Sequence, residues 1–259
     1  MDKLRAENIN KIYKLKNGED VYALKNVNIS VEDGEFAVIV GPSGCGKSTF
    51  INIAGGLLPQ TSGTLKVDDK EVSGPGADRG MVFQGYSLFP WLTVKENISF
   101  GLKIRKVDEH EIDRIVSEYM DLVGLKDFAN ALPKSLSGGM KQRVAIARTL
   151  ANNPAVLLMD EPFGALDAQT RVIMQEFLAK IVKKTKKTVL FITHDIDEAI
   201  LLGDKIYVMT KRPGFIQRCI DVEYDGERNH KMLLKPEFMK MKEEIFDMLW
   251  QETAAIAVH

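Results

Sequence analysis

The sequence predicts an α/β fold: a largely parallel sheet between helices, with an antiparallel β subdomain ahead of it and an α-helical subdomain inserted within it. Three observations carry that expectation. Short apolar runs at Phe36–Val40, Ala155–Met159, Val189–Thr193 and Ile206–Met209 read as buried strands, separated by helical patterns. Leu4–Tyr13 and Val21–Val31 contain alternating segments instead, as half-exposed antiparallel strands do, with KLKNGED as the turn between them. From Ser87 to about Leu132 helical spacing takes over.

The 259-residue chain is 45% hydrophobic and 27% charged, with a formal net charge of -1. That composition suits a soluble α/β protein of one large domain or two small ones. No global basic field argues for nucleic acid. Cys45 and Cys219 are the only cysteines and show no metal-ligand spacing. The start, MDKLRAENINKIY, lacks the apolar core of a signal peptide. No apolar run approaches the ~18 residues of a membrane helix. A cytoplasmic protein is expected.

In chain order, Tyr13 and Tyr22 come first, each a ring that could stack on a base or pack on the core. Glu35–Leu57 follows, with Gly41, Gly46, Lys47 and Ser48 in the spacing G-x-x-x-x-G-K-[ST] of a phosphate-binding loop. A buried strand leads into it and a helix leads out, and a helix start offers unpaired N–H groups and a positive dipole end to an anion. Glycines 41, 44 and 46 let backbone wrap a phosphate. In such a loop Lys47 reaches the β- and γ-phosphates and the Ser48 hydroxyl meets Mg²⁺. Cys45, inside the loop, is either a reactive thiol or a small filler.

TLKVDDKEV reads as a strand, a turn and a second strand edge, and Arg79–Phe83 as another strand ending at Gln84, where a polar side chain is well placed for ligand work. Thr93 and Glu96 form a capping box. Ile112, Ile115, Val116, Tyr119 and Val123 give an amphipathic helix. Phe89 and Trp91 would mark a partner surface if exposed. Ser137, Gly138 and Gly139 open the helix KQRVAIARTLANN, a second anion-type helix start or simply a cap. Asp160 and Glu161 end the Ala155–Met159 strand, where one carboxylate can support Mg²⁺ and the other can orient a water. Asp167 in GALD can cap the following helix. His194 ends the Val189–Thr193 strand. Lys211–Tyr224 holds a Pro-Gly turn and reads as a hairpin, and Phe238, Met241, Ile245, Met248 and Leu249 make an amphipathic C-terminal helix.

The ordered set GPSGCGKST, FQ, LSGGM, LLMDEP, ALD and THD resembles the nucleotide-binding subunit of ATP-binding cassette (ABC) transporters over residues 4–210. LSGGM is its most specific piece. The resemblance implies a P-loop NTPase (RecA-like) core within a single domain over 1–259. Residues 1–86 and 153–211 would form the nucleotide-binding core with its β subdomain, 87–152 the helical subdomain, and 212–259 a short hairpin and helix. It implies ATP held by Gly41, Ser43, Gly44, Cys45, Gly46, Lys47, Ser48 and Thr49, with Tyr13 on the adenine and Tyr22 as its rival. Ser48, Gln84 and Asp160 would attend Mg²⁺, Gln84 would also contact the catalytic water and relay to the membrane partner, Glu161 would be the catalytic glutamate, and His194 the γ-phosphate switch. A head-to-tail homodimer would place Ser137, Gly138 and Gly139 of one copy on the ATP of the other. FPWLTVKENISFGL and the tail KRPGFIQRCIDVEY are similar to the nitrate/sulfonate/taurine importer group. That implies a peripheral subunit at the cytoplasmic face, with separate transmembrane permease subunits and, indirectly, an extracytoplasmic solute-binding protein.

Two other classes fit less. DNA-repair relatives separate the phosphate loop from LSGG by coiled coils or zinc modules, and ribosome-acting ones usually carry two cassettes; here the gap is short and the cassette single. A P-loop kinase or GTPase leaves LSGGM and His194 unexplained.

Overall fold

The computed structural model describes residues 1–211 and 213–257, with side chains through residue 250. Strands β1 (Asp2–Lys14) and β2 (Asp20–Glu32) pair antiparallel across the expected turn. β3 (Phe36–Val40) leads through a tight loop to α1 (Lys47–Ala54). β4 (Ser62–Val67) and the short β5 (Lys70–Glu71) join β1 and β2 in a four-stranded antiparallel sheet of order β2-β1-β4-β5. After β6 (Arg79–Val82) come three helices, α2 (Val94–Ile104), α3 (Glu109–Val123) and α4 (Gly138–Ala151). β7 (Val156–Asp160), α5 (Ala168–Thr185), β8 (Thr188–Thr193), α6 (Ile196–Leu202) and β9 (Lys205–Met209) then alternate, before β10 (Ile216–Asp221) and α7 (Pro236–Ala257).

The second sheet has the order β10-β9-β3-β8-β7-β6. Its β9, β3, β8, β7 and β6 run parallel, and β10 pairs antiparallel with β9. The period-two geometry of a strand sends alternate side chains to opposite faces. In β3, Phe36, Val38 and Val40 join the apolar cluster shared with α2 to α6. Ala37 and Ile39 join the cluster shared with α1 and the antiparallel sheet. A strand covered on both faces must be apolar throughout, and all of β3 is buried.

Helix starts follow local chemistry. The Thr93 hydroxyl accepts from Glu96 N while the Glu96 carboxylate accepts from Thr93 N at 2.7 Å, the two halves of a capping box. Ser137, Asp167 and Asp195 cap α4, α5 and α6 in the same manner, each side chain accepting from a backbone N–H of the first turn.

The expected hairpin takes β9 as its first strand. Of Lys211–Tyr224 only one segment, β10, is a strand, and it pairs with β9 of the main sheet. An uncovered β9 edge would leave a row of backbone groups unpaired, and β10 satisfies them. The Pro-Gly turn is thus the corner between β9 and β10, with Arg212 lying outside the described residues.

Candidate active site

The site is built where three neighbouring strands end. β3 lies between β8 and β9, and β7 lies beyond β8, so the carboxyl ends of β3, β7 and β8 open on one crevice. Between β3 and α1 the backbone turns within Gly41–Gly46. Gly44 (φ 78°) and Gly46 (φ 112°) adopt left-handed conformations that side-chain-bearing residues rarely take. At Gly46 space also forbids a side chain: a Cβ would stand 2.7 Å from Leu24 Cδ2 and 2.9 Å from Ala23 O. The first N–H groups of α1 therefore face the loop with the positive end of the helix dipole behind them.

Lys47 is only 4% exposed. Its ammonium donates to Gly41 O at 2.8 Å and Pro42 O at 3.1 Å, and Glu161 Oε1 is 3.9 Å away. The Ser48 hydroxyl donates to Asp160 Oδ1 at 3.2 Å, bringing two oxygen donors from the ends of β7 and the loop together. Glu161 has φ 43°, a left-handed conformation costing about 1–3 kcal/mol for such a residue. Its N–H donates to Ile192 O at 3.0 Å, which locks the turn onto β8. The other carboxylate oxygen, Oε2, accepts from His194 Nδ1 at 2.9 Å. An ionised carboxylate only accepts, so Nδ1 carries the proton in this pair. Lys47, Glu161 and His194 thus form one chain of contacts beside the Ser48–Asp160 pair. Cys45 is fully buried, and burial pushes its thiol up, so it stays protonated and acts as filler.

The other residues singled out in the sequence fall around this centre. The Gln84 side chain lies over Gly164, where a Cβ would come within 3.1 Å of its Nε2, beside the loop that follows Glu161. Tyr13 opposes Val21 and Tyr22 opposes Ile12, so the two rings project from opposite faces of the β1–β2 hairpin. One ligand face can therefore use one ring, not both. Ser137 Oγ accepts from Met140 N at 3.3 Å. The glycines beside it are seated against other groups: a Cβ would meet Tyr86 Oη at 2.9 Å from Gly138 and Thr170 Cγ2 at 2.9 Å from Gly139. Asp167 is the cap of α5, its carboxylate accepting from Thr170 N at 3.0 Å.

Phe89 and Trp91 differ in exposure, although their ring centroids lie 5.8 Å apart. Trp91 is 72% exposed, whereas the Phe89 ring packs 4.3 Å from the Phe100 centroid and under the Arg148 guanidinium.

Two residues that sequence reasoning missed hold this segment. Asn97, fully buried, accepts from Phe89 N at 2.9 Å and donates to Leu92 O at 2.9 Å and Thr93 O at 3.0 Å. Arg148 donates to Ser87 O at 2.7 Å. A signal for Asn97 existed: it is a polar residue on the buried stripe of Val94 and Ile98. A third missed group braces the turn that carries His194. Gln175 donates to the buried Glu198 at 2.9 Å, Glu198 N donates to Asp195 Oδ1 at 3.2 Å, and Asp195 N donates to Thr193 Oγ1 at 2.9 Å.

Residues 24–164 match the family model described as ABC transporter. The chain is 49% identical over 264 residues to the nitrate import ATP-binding protein NrtD of Synechocystis sp., covering 98% of this chain and 99% of that one. It is 47% identical over 255 residues to the taurine import ATP-binding protein TauB of Pelagibacter ubique, covering 96% of each. Among solved structures it is similar, with TM-score 0.73 and 37% identity, to the dimeric post-hydrolysis state of the ATP-binding cassette MJ0796 bound to ADP and Pi, over 85% of this chain and 99% of that chain. It is also similar, with TM-score 0.76 and 30% identity, to cbiO1 from Clostridium perfringens, part of the ABC transporter complex cbiONQ, over 93% and 94% of the two chains.

Burial pushes the Asp160 carboxyl above the usual range, against the Ser48 hydrogen bond that lowers it. A folded-state pKa above the unfolded one means that the protonated form is favoured by folding. That contribution is full below the unfolded value and lost as pH rises through the folded one. Asp160→Asn keeps a neutral group at every pH. In nucleotide-free protein the variant should therefore resist urea better than the native chain at pH 7, with the difference closing as pH falls below about 4. An advantage that grows on acidification would contradict the assignment of Asp160 as a buried, ionised carboxylate.

Proposed function

The chain belongs to the ABC transporter family, and from that premise we propose that it is the ATP-hydrolysing subunit of an importer, driving solute uptake through separate transmembrane permease subunits. The observation that carries the chemistry is the convergence of Lys47, Ser48, Asp160, Glu161 and His194 at the ends of three adjacent strands. The importer role rests on similarity to nitrate and taurine import proteins along nearly the whole chain. Nitrate, a sulfonate or a taurine-like compound is the proposed cargo, selected by the membrane subunits and, indirectly, an extracytoplasmic solute-binding protein. Nucleic acid is not a proposed partner. Among the described residues no helix is long and apolar enough to cross a membrane; peripheral attachment at the cytoplasmic face is proposed from the similarity to import ATP-binding proteins.

Each residue has a proposed task. The loop residues Gly41, Ser43, Gly44, Cys45, Gly46 and Thr49 wrap the ATP phosphates with backbone, and Lys47 neutralises β- and γ-oxygens. Tyr13 is the proposed adenine platform. The paired oxygens of Ser48 and Asp160 suit a hard cation such as Mg²⁺. Among the described residues no cluster of three or more His, Cys, Asp or Glu could hold a metal, so phosphate oxygens and water would complete its shell, with Gln84 at the rim. Mg²⁺ would offset phosphate charge. Glu161 orients the attacking water and accepts its proton, and His194 holds Glu161 and faces the γ-phosphate. Ser137, Gly138 and Gly139 would serve the ATP of a second copy: a Cβ on Gly138 or Gly139 would meet Tyr86, Leu166, Thr170 and Met174 rather than the phosphate loop. The core is proposed as 1–86 with 153–211, the helical lobe as 87–152, and exposed Trp91 as part of the permease-facing surface.

Glu161→Gln keeps the shape and removes the base. Turnover should fall about 10²–10⁴-fold while ATP still binds, because the phosphate-contacting groups remain. Lys47→Ala should instead lose nucleotide binding. Rate and equilibrium ATP affinity measured on both variants check this, and near-native turnover in Glu161→Gln would move the base elsewhere. Trp91→Glu should weaken co-purification with the permease and leave ATP affinity unchanged. Full co-purification of that variant would remove Trp91 from the interface.

A further inference from the structure

A second concavity lies at the opposite end of the sheet. Asp33, Gly34 and Phe36, at the amino end of β3, line it. β3 is 5 residues long, which puts about 16 Å of strand between this cavity and the phosphate loop. Its volume is about 490 Å³, the size of a small-molecule site. The last turns of α5 form one side and the end of α6 another, and the segment after β10 folds across with Tyr224, Gly226 and Arg228. Phe36, Val182, Leu202 and Tyr224 give it an apolar lining.

Its frame is already fixed. The Arg228 guanidinium donates to Gly203 O and to Asp204 Oδ1, both at 2.7 Å. Asp204 Oδ2 accepts from Phe36 N at 2.9 Å, which ties the covering segment to the base of β3. The Tyr224 ring packs edge-on against Phe238 at 5.3 Å.

The charges around it do not balance locally. Asp204 is engaged by Arg228, Glu227 pairs with Lys180 at 3.6 Å, and Asp33 pairs with Lys3 at 3.3 Å. Each lining carboxylate thus faces a cation, although Lys3 is shared between Asp33 and Asp68, the latter at 2.9 Å. The ammonium groups of Lys183 and Lys186, which also line the cavity, have no ion-pair or hydrogen-bond partner among the described residues. Lysines at the end of a helix complement its exposed carbonyls. An apolar hollow beside two uncompensated cations goes beyond that role.

We propose that this cavity is a second ligand site, separate from the nucleotide, for a small amphipathic anion. Such a ligand lays an apolar or aromatic body against Phe36, Val182 and Leu202 and turns a carboxylate, sulfonate or phosphate head to Lys183 and Lys186.

The test uses the full chain and the aromatic sulfonate 8-anilinonaphthalene-1-sulfonate as probe, followed by fluorescence and calorimetry. One saturable site is expected, unaffected by saturating ADP. Charge reversal in Lys183→Glu/Lys186→Glu should weaken it at least about tenfold, since two attractions become repulsions. The neutral probe N-phenyl-1-naphthylamine should bind the native chain more weakly by a similar factor, and Ala179→Trp, which fills the hollow, should abolish binding. Because glutamates oppose the dipole at the end of α5, the neutral pair Lys183→Gln/Lys186→Gln, with far-UV circular dichroism matching the native chain, should weaken binding as well, and it decides the matter even if Ala179→Trp fails to fold. Binding that does not saturate, displacement by ADP, equal affinity for the neutral probe, or an unchanged affinity after charge reversal would each overturn the proposal.

Discussion

A positive charge withdrawn from water organises this molecule. The Lys47 ammonium has two backbone carbonyls and a carboxylate at 3.9 Å for company. Burying an ion costs several kcal/mol unless opposite charge and hydrogen bonds offset it, and these three oxygens supply that offset. In the proposed nucleotide complex a phosphate would add the opposite charge, with the backbone N–H groups of the loop available around the same point. That need dictates the surroundings. β3 must be central and apolar to hold the loop from below, and Gly46 must lack a side chain because Leu24 and Ala23 close on it. The carboxylates arrive from β7 and the imidazole from β8, the two strands next along the sheet.

The parts of this architecture written in local chemistry were legible in the sequence. The apolar run of β3 marks its own ends, the capping box marks the start of α2, and the spacing from Gly41 to Ser48 marks the loop. What depends on tertiary neighbours was not. Phe89 and Trp91 look alike in sequence, and only the positions of Phe100 and Arg148 decide that Phe89 is partly covered while Trp91, touching Phe89, stays mostly in water. The turn of the terminal hairpin was legible, but that its first strand is β9 of the main sheet depends on which edge was open. Gln175 and Glu198 stand on different helices, so no spacing rule links them.

Glu161 shows how strain and chemistry coincide. Its left-handed backbone turns the chain out of β7 at the point where its carboxylate meets both Lys47 and His194. Strain of this kind persists when the surroundings over-determine it, and the bond from Glu161 N to Ile192 O is one such constraint. Two helix starts of anion-binding type, at α1 and α4, occur in one chain, yet the glycines of the second rest against Tyr86 and Thr170. The proposed resolution is that each ATP is shared between two copies, the loop of one facing the Ser137–Gly139 turn of the other.

Mixing two inactive variants tests that claim most directly. Lys47→Ala removes the phosphate-binding cation, and Ser137→Asp keeps a good helix cap while setting a negative charge where phosphate would lie. A mixed dimer would contain one site with both halves intact. The account predicts that the mixture forms ATP-dependent heterodimers and recovers hydrolysis that neither variant shows alone. A mixture as inactive as its components, with no heterodimer formed on adding ATP, would contradict a site built from two copies.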